Sequence, residues 1–535
     1  MHGGLGHLRL SLRRYRRDSR EPELDIRACC INKMRAIIDI MPVLNRIGKI
    51  RKRNHALVTF DPAKILRAIK RGADSAGGFA PDYLPEINEK IFAAGGTDHG
   101  IAEFLADLVV LCLNADQRHL VTNFPPTVEE IQDTVLHVLR SNGFTTVADA
   151  YTCFRWGHHW VREGAITEEQ FARNGYPKET MDPLREWNRI RGCDTVEGLN
   201  DIIQAGKVKG LVDEALDRYE STLDDVASRL LARIESGDDI RMIWVSGPSS
   251  SGKTTTTVKV TERLREHGLR FLMLNLDDYF WSLIEHPSDW IDDRNYETPE
   301  ALDIQLLNEH LLALLAGETI DKPVYSFKEG HRIGTVPVRR EPDQILVLDC
   351  LHGFYPPISE GIDPAHIFRL YIEAMNPLFE PNPLIPLYQG DLADRRLTRF
   401  EDIRLLRRTL RDSKHRNHPP LATLLHWHYV RAGELFSIIP LKGMADCIVN
   451  GGMPFDLPIL KPFFTGDEGI WPREDDLTLY PSYLDARIRR RRVQRLMDSI
   501  VGLTEAQIAD TSFIPGDAVV REFVGGSTIK IPHND

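Results

Sequence analysis

The stretch Gly247-Pro-Ser-Ser-Ser-Gly252-Lys253-Thr254 constrains this chain more than any other feature. It fits the pattern G-x-x-x-x-G-K-[ST] without a mismatch. Its surroundings fit as well. Met242–Val245 is a short apolar run suited to a buried strand, and Thr254 onward is compatible with a helix ending at His267-Gly268. Glycines at 247 and 252 let backbone N–H groups curl round an anion, and the N-terminus of the following helix adds a favourable dipole. A serine-rich turn without a ligand is the bland alternative. The spacing predicts a nucleotide-phosphate cradle built from Gly247, Ser249, Ser250, Ser251, Gly252, Lys253, Thr254 and Thr255. Lys253 is expected to reach the β/γ-phosphates and Thr254 to bind Mg²⁺.

Around that loop the pattern alternates strand, helix, strand from Arg241 to about Gly452, which predicts an α/β unit with a parallel sheet covered by helices. The carboxyl ends of strands in such a sheet face the ligand crevice. Arg270–Leu276 reads as a second strand running into Asp277-Asp278-Tyr279-Phe280. Asp277 is expected near the γ-phosphate, where a base accepts a proton from an attacking hydroxyl; Asp278 is the alternative, as a helix cap. A third strand, Gln344–Asp349, ends in a carboxylate expected to hold Mg²⁺ through water. Further on, Arg404, Arg407, Arg408 and Arg411 are followed by Asp412 and Arg416. Spacings of three and four put several guanidinium groups on one helix face. A solvated charged face is the commonest reading of such a run. Phosphoryl transfer, however, needs cations over the transferring oxygens.

The chain's 535 residues leave room for three or four domains, or two large ones. With 42% hydrophobic and 27% charged residues, wholesale disorder is excluded. A net charge of -11 argues against sequence-blind nucleic-acid binding, which needs a basic field. Leu108–Leu113, the longest purely apolar run, is far short of the roughly 20 residues of a membrane helix. Seven cysteines without C-x-x-C spacing argue against a disulfide framework or zinc ribbon and for a reducing, cytoplasmic setting. Residues 1–48 read as a leader, disordered or mis-started, with six arginines in the first twenty positions; a presequence is the alternative. Residues 49–165 read as one compact unit: a basic hairpin over Lys49–Phe60, a helix started by Asp61-Pro62 with Ile65, Ile69 and Ala73 on one face, and a stretch over Ile101–Leu113. A helix capped by Thr127 with Glu130 three residues on, and a last helix including Val147–Trp160, complete it. Residues 166–210 read as a linker, 211–465 as the α/β unit, and 466–535 as a C-terminal helix and tail packing on it. Within that helix Arg489–Arg492 reads as a solvated face. His158-His159 and His426-Trp427-His428 lack zinc-site spacing and read as satisfied or exposed.

Residues Ile243–Gly452 resemble the uridine kinase/phosphoribulokinase family of P-loop small-molecule kinases. The likeness is carried by GPSSSGKT, the LDDYF run, Pro323-Val-Tyr325-Ser-Phe327, Asp349-x-x-His352-Gly353, and Asp402-Ile-Arg404-Leu-x-Arg407-Arg408-x-x-Arg411-Asp412. Over about 198–527 the chain is most similar to long bacterial uridine-kinase-like proteins with an extra N-terminal module. That likeness rests on Leu199-Asn200-x-Ile-Ile-x-x-Gly206-Lys207, Arg431-x-Gly433-Glu434 and Arg521-Glu522-Phe523-Val524-Gly525-Gly526-Ser527. The resemblance implies a P-loop NTPase-type parallel sheet with flanking helices, and ATP- and Mg²⁺-dependent phosphoryl transfer to a hydroxyl of a small molecule. A nucleoside such as uridine or cytidine is the most family-like acceptor. It implies that Asp277 activates the acceptor, with Lys253, Arg404 and Arg408 in the chemistry. Tyr279, Phe280, Glu297, Tyr325 and Arg332 are implied to line the acceptor pocket, and Arg404, Arg407, Arg408 and Arg411 to belong to a closing lid on the phosphates. Two departures stand out. Gly330 occupies the position of a base-contacting His, with His331 displaced by one, and Asp349-Cys350-Leu351 replaces the usual Glu-Gly-Ile. The first keeps a sugar phosphate or other non-nucleoside acceptor as an alternative; a nucleotide-sensing protein without useful transfer is the other.

The N-terminal unit, about 49–163, resembles an ATP-cone, a smaller and mostly helical nucleotide-sensing module. Lys52-Arg53, Phe60-Asp61-x-x-Lys64-Ile65-x-x-Ala68-Ile69, Pro126-Thr127-Val128-Glu129-Glu130-Ile131-Gln132-Asp133 and Ala148-x-Ala150-Tyr151-x-x-x-Arg155 carry the likeness. It implies ATP or dATP as an allosteric effector held by Lys52, Arg53, Lys64, Tyr151 and Arg155. The sequence leaves a homo-oligomer open.

Overall fold

The computed structural model describes residues 43–76, 78–79, 98–120, 124–173, 178–286, 289, 293–381, 395–478 and 484–530. The expected leader, up to residue 42, lies outside them.

The N-terminal unit opens with an antiparallel hairpin of β1 (Lys49–Arg51) and β2 (Leu57–Thr59). Helix α1 (Ala63–Ser75) starts where Asp61 accepts a hydrogen bond from the Ala63 amide and Pro62 fixes φ near the helical value. Its Ile65, Ile69 and Ala73 are buried. Helix α2 spans Asp98–Ala115. Helix α3 (Val128–Ser141) carries the expected capping box, with Thr127 and Glu130 satisfying each other's backbone amides. Helix α4 (Thr145–Arg162) packs on α1 and α3, closing one apolar core of Ile47, Ile69, Leu105, Val109, Val138 and Val147.

The expected linker is instead largely helical. Helices α5 (Glu168–Ala172), α6 (Lys178–Ile190) and α7 (Val196–Gln204) occupy it, and Cys193, Val196 and Leu199 are buried in the core of the following unit. Polar turn residues there punctuate short helices, and their few apolar side chains are enough to dock them. The long helix α8 (Val208–Glu235) leads into the sheet.

The sheet is parallel and five-stranded, in the order β11-β8-β3-β7-β4. These strands are β3 (Met242–Ser246), β4 (Arg270–Asn275), β7 (Gln344–Asp349), β8 (Ile367–Glu373) and β11 (Cys447–Asn450). A separate hairpin of β5 (Thr319–Ser326) and β6 (His331–Arg339) and a short pair, β9 (Phe379–Pro381) with β10 (Arg395–Leu397), stand outside it. Both faces are apolar, as a doubly covered parallel sheet requires. Ile243, Val245 and Val347 point into a core shared with α8, whereas Met242, Trp244, Leu346 and Leu348 point into another. The second core also takes in Trp160 and Ile166, so the end of α4 is embedded in the sheet's own packing. Helices α9 (Lys253–Glu266), α10 (Ile304–Leu315), α11 (Phe400–His415), α12 (Pro420–Gly433) and α13 (Asp456–Phe464) flank the sheet. Helix α14 (Leu484–Ser499) and the tail complete the first core through Val493, Leu496, Val519 and Phe523.

The expectation that Arg489–Arg492 is a solvated face is corrected in part. Arg489 and Arg492 are buried, with Arg489 on Asp485 and Arg492 clasping Asp402 on α11, while Arg490 and Arg491 share Glu474. No helix among the described residues is long and apolar enough to cross a membrane.

Candidate functional site

Three strand ends meet flush. Val245 of β3 and Asn275 of β4 both pair with Asp349 of β7, so the residues that follow them emerge at one edge of the sheet. Beyond β3 the chain folds into a tight loop in which Ser250 and Gly252 both take positive φ, 58° and 89°. A side chain at Gly252 would collide with Val519, and one at Gly247 with the Ile372 carbonyl, so the loop's closeness to its neighbours depends on both glycines. Helix α9 starts directly from Gly252 without a side-chain cap.

Lys253 donates to the Pro248 carbonyl at 2.9 Å, and burial pushes its pKa down. The Asp349 carboxyl is pushed up to about 6, first by burial and then by the nearby Asp277 and Glu522 charges; Lys253 and a hydrogen bond from Thr254 oppose this. Asp277 follows β4 in a single 3₁₀ turn, its amide bound by the Asn275 side chain at 3.0 Å. Its charge is felt by Asp349, Cys350 and Arg416. Lys253, Thr254, Asp277 and Asp349 thus gather at one sheet edge. Thr255 turns instead to the tail, donating to Glu522 at 2.8 Å.

The arginine helix α11 is buried from Asp402 to Asp412. Arg404, 1% exposed, is clasped by both oxygens of Glu434 and donates to the Ser249 carbonyl at 3.1 Å. Arg407 is held by Asp456 at 2.7 Å and donates to the Ser250 and Gly451 carbonyls. Both sit against the backbone of the loop with their charge already neutralised, which corrects the expectation of a mobile lid gripping phosphates with these two side chains. Arg408 reaches the Ser249 hydroxyl at 3.2 Å and pairs with Glu297 at 2.7 Å and with Asp412. Arg411 lies on Asp412, and the Arg416 guanidinium is lowered to about 10, chiefly by Arg411. Arg416 therefore stands on the Asp277 side.

Next to Asp277, the 3₁₀ turn sorts the LDDYF run, turning Leu276, Asp278 and Tyr279 inward. Asp278 pairs with Lys322 and accepts the Tyr325 amide at 3.1 Å. Tyr279 is fully buried, packed in the second core with its hydroxyl on His310 at 3.0 Å. Its expected place in an acceptor pocket is thereby corrected, since that ring has no face left for a ligand. Phe280 clusters with Tyr325, ring centres 5.8 Å apart, and Phe327. Arg332 spends its donors on the Tyr279 and Phe280 carbonyls and on Asp303, holding the turn. Glu297 is buried, with Arg408 and His426 holding its carboxyl well below the usual range against the opposing cost of burial. Gly330 has φ 71°, and His331 is turned out towards Glu329.

The Phosphoribulokinase / Uridine kinase family profile matches residues 242–365, and the ATP cone domain profile matches residues 48–159. The chain is similar to the uridine kinase of Deinococcus deserti, 30% identical over 214 residues, which is 40% of this chain and 88% of that one. The chain belongs to the phosphoribulokinase/uridine kinase family. It is also similar to the uridine kinases of Anoxybacillus flavithermus (33%) and Bacillus pumilus (32%), each over 225 residues, 41% of this chain and 92% of the relative. Membership makes it a small-molecule kinase that uses ATP.

The cone of this kinase holds a cavity between α1 and α4, bordered by Ala68, Arg71, Gln132, Tyr151, Phe154 and Arg155 among others. Of the expected effector residues, Tyr151 and Arg155 line it. Arg53 stands nearby, bonded to Glu129 at 2.6 Å and to Gln132, while Lys52 and Lys64 are exposed outside the lining. Arg155 is bonded to Asp133.

Sequence reasoning missed four groups. His426, under 2% exposed in its side chain, lies between Asp293 and Glu297 and stacks on Tyr296. Glu434, Glu522 and Asp456 complete the charge balance around the loop. Glu434 and Glu522 sit in family-like runs, so a signal was present. Nothing in spacing says which distant cation each one meets.

Proposed function

We propose that this kinase moves the γ-phosphoryl group of ATP to a hydroxyl of a nucleoside, and that a nucleotide at the cone adjusts its activity. The observation that carries the reading is the flush register of Val245, Asn275 and Asp349, with Asp277, Lys253 and Thr254 beside it. Asp277 accepts the acceptor's hydroxyl proton as that oxygen attacks the γ-phosphorus and the bond to ADP breaks. Lys253 and the amides of the loop offset charge on the β- and γ-oxygens, and their fixed placement costs no reorganisation during transfer. Arg416 is the cation that feels Asp277, and Arg411 the one that feels Lys253; Arg404, Arg407 and Arg408 fix the loop's shape. Thr254 and Asp349 suit Mg²⁺, because a buried carboxyl with a raised pKa gains most from a cation beside it. Bound there, Mg²⁺ neutralises phosphate charge. Phe280, Tyr325 and Glu297 border the acceptor, with Arg332 holding their turn.

A nucleoside is favoured by the names of the relatives. A non-nucleoside acceptor is the second reading, favoured by Gly330 and the outward His331. ADP release measured over a panel of nucleosides, sugars and sugar phosphates decides between them: turnover confined to sugar phosphates transfers the assignment to the second. In the same assay Asp277→Asn is expected to lower kcat by about 10²–10⁴-fold with ATP affinity little changed. A variant with normal turnover removes Asp277 as the base.

A further inference from the structure

Arg431 joins the two units. It lies near the end of α12, three residues before Glu434, and its side chain is 13% exposed. Nη2 is 3.0 Å from Asp149 on the cone helix α4, and Nη1 is 2.5 Å from Glu434. Glu434 in turn clasps Arg404, which donates to the carbonyl of Ser249 in the phosphate loop. Four side chains of alternating charge therefore run without a gap from α4 to the backbone of the loop. The same helix carries Tyr151 and Arg155, both lining the cone cavity. Arg431 also faces Glu401, whose neighbour Arg399 donates to Thr145 at the start of α4.

One guanidinium bonded to both Asp149 and Glu434, with the Glu401 charge pulling on it as well, cannot serve all three equally well. In a weakly screened interior, a small displacement of α4 changes how its donors are divided. Interfaces of paired charges tend to switch between discrete arrangements rather than deform smoothly. We propose that Arg431 and Glu434 are positioning residues that carry the state of the cone cavity to the phosphate loop. A nucleotide that moves α4 alters the share of Arg431 taken by Asp149, hence the grip of Glu434 on Arg404 and of Arg404 on Ser249. This rests on the reading of the cone as a nucleotide sensor and names the route by which it acts.

The test uses the full chain as wild type, Asp149→Asn, Arg431→Met and the double variant. The probe is dATP, its own use as donor being read separately as dADP. Kinetics give KM for ATP and kcat with and without dATP, calorimetry gives dATP binding, and thermal unfolding reports the fold. In the wild type dATP is expected to shift KM for ATP or kcat by about fivefold or more, the lower end of usual coupling. Asp149→Asn should bind dATP and unfold as the wild type does, yet respond by less than about twofold. The double variant should respond no differently from Arg431→Met alone, since two residues on one route are not additive. A full response in Asp149→Asn overturns the route and leaves the sensor reading standing. Loss of dATP binding itself in that variant places Asp149 in the cavity and likewise overturns it. A wild type that binds dATP without any kinetic response, or does not bind it, removes the sensor reading and the route together.

Discussion

The phosphate loop and the cone cavity are both rimmed with arginine, yet they hold it in opposite ways. At the loop, Arg404 and Arg407 are almost wholly buried, each locked on a carboxylate and on backbone carbonyls. Beside the cone cavity, Arg53 is 42% exposed and leans on Glu129 and Gln132, and Arg155 of the lining rests on Asp133, itself 43% exposed. A buried cation clasped by a carboxylate and a backbone carbonyl fixes the atoms around it, which suits a site that must meet the same transition state at every turnover. An exposed pair is weak and screened, so exchanging its partner for another anion costs little. The difference teaches that the number of arginines near a site says less than what each is already bonded to.

Three changes would break or sharpen that contrast. The largest effect is expected from Glu434→Ala, which strands Arg404 and part of Arg431 in the interior. Stability should fall by about 3–5 kcal/mol in chemical denaturation, and a loss under about 1 kcal/mol would show the loop arginines to be as loosely held as those of the cone. Next comes Asp349→Asn. The raised Asp349 pKa, about 6, means that the folded protein prefers this carboxyl protonated. Its stabilising contribution is present below the ordinary carboxylate pKa and is lost as pH rises through about 6. The ligand-free variant should therefore gain on the wild type between about pH 4 and 6.5, by about 1–3 kcal/mol, then hold that margin. Thermal unfolding across that range checks it, and a pH-independent difference would contradict it. The smallest effect on stability belongs to Arg53→Ala, within about 0.5 kcal/mol. Its dATP affinity should nevertheless drop by about tenfold or more, the value of a charge-assisted contact to phosphate. Unchanged calorimetric binding would remove Arg53 from the effector site.

Much of the scaffold was legible in the chain because it is written locally. The Thr127–Glu130 box, the Asp61-Pro62 start, the three strands, each read to within one residue of its end, and the glycines of the phosphate loop each depend on residues a few positions apart. Legibility failed where partners are distant. Arg492 and Asp402 are 90 positions apart, Thr255 and Glu522 are 267 apart, and no spacing rule links them. Tyr279 shows the same limit at short range, since a 3₁₀ turn, rather than a continued strand, decides which of Asp277, Asp278, Tyr279 and Phe280 faces inward. The helices of 166–210 were hidden because their burial depends on docking rather than on a long apolar stripe.

Trp160 sits at the far end of α4 in the same core as Trp244 and Leu348, its ring against Tyr355 and Phe436 and its indole N–H on the Phe436 carbonyl at 2.8 Å. Cutting the chain near residue 165 to obtain a free catalytic half would leave an oily socket open to water where that indole had been. Such a fragment should clump or need detergent, whereas a division placed ahead of Thr145 keeps the plug with its socket. Anyone transplanting this cone onto another catalyst would have to carry a matching hole along with it.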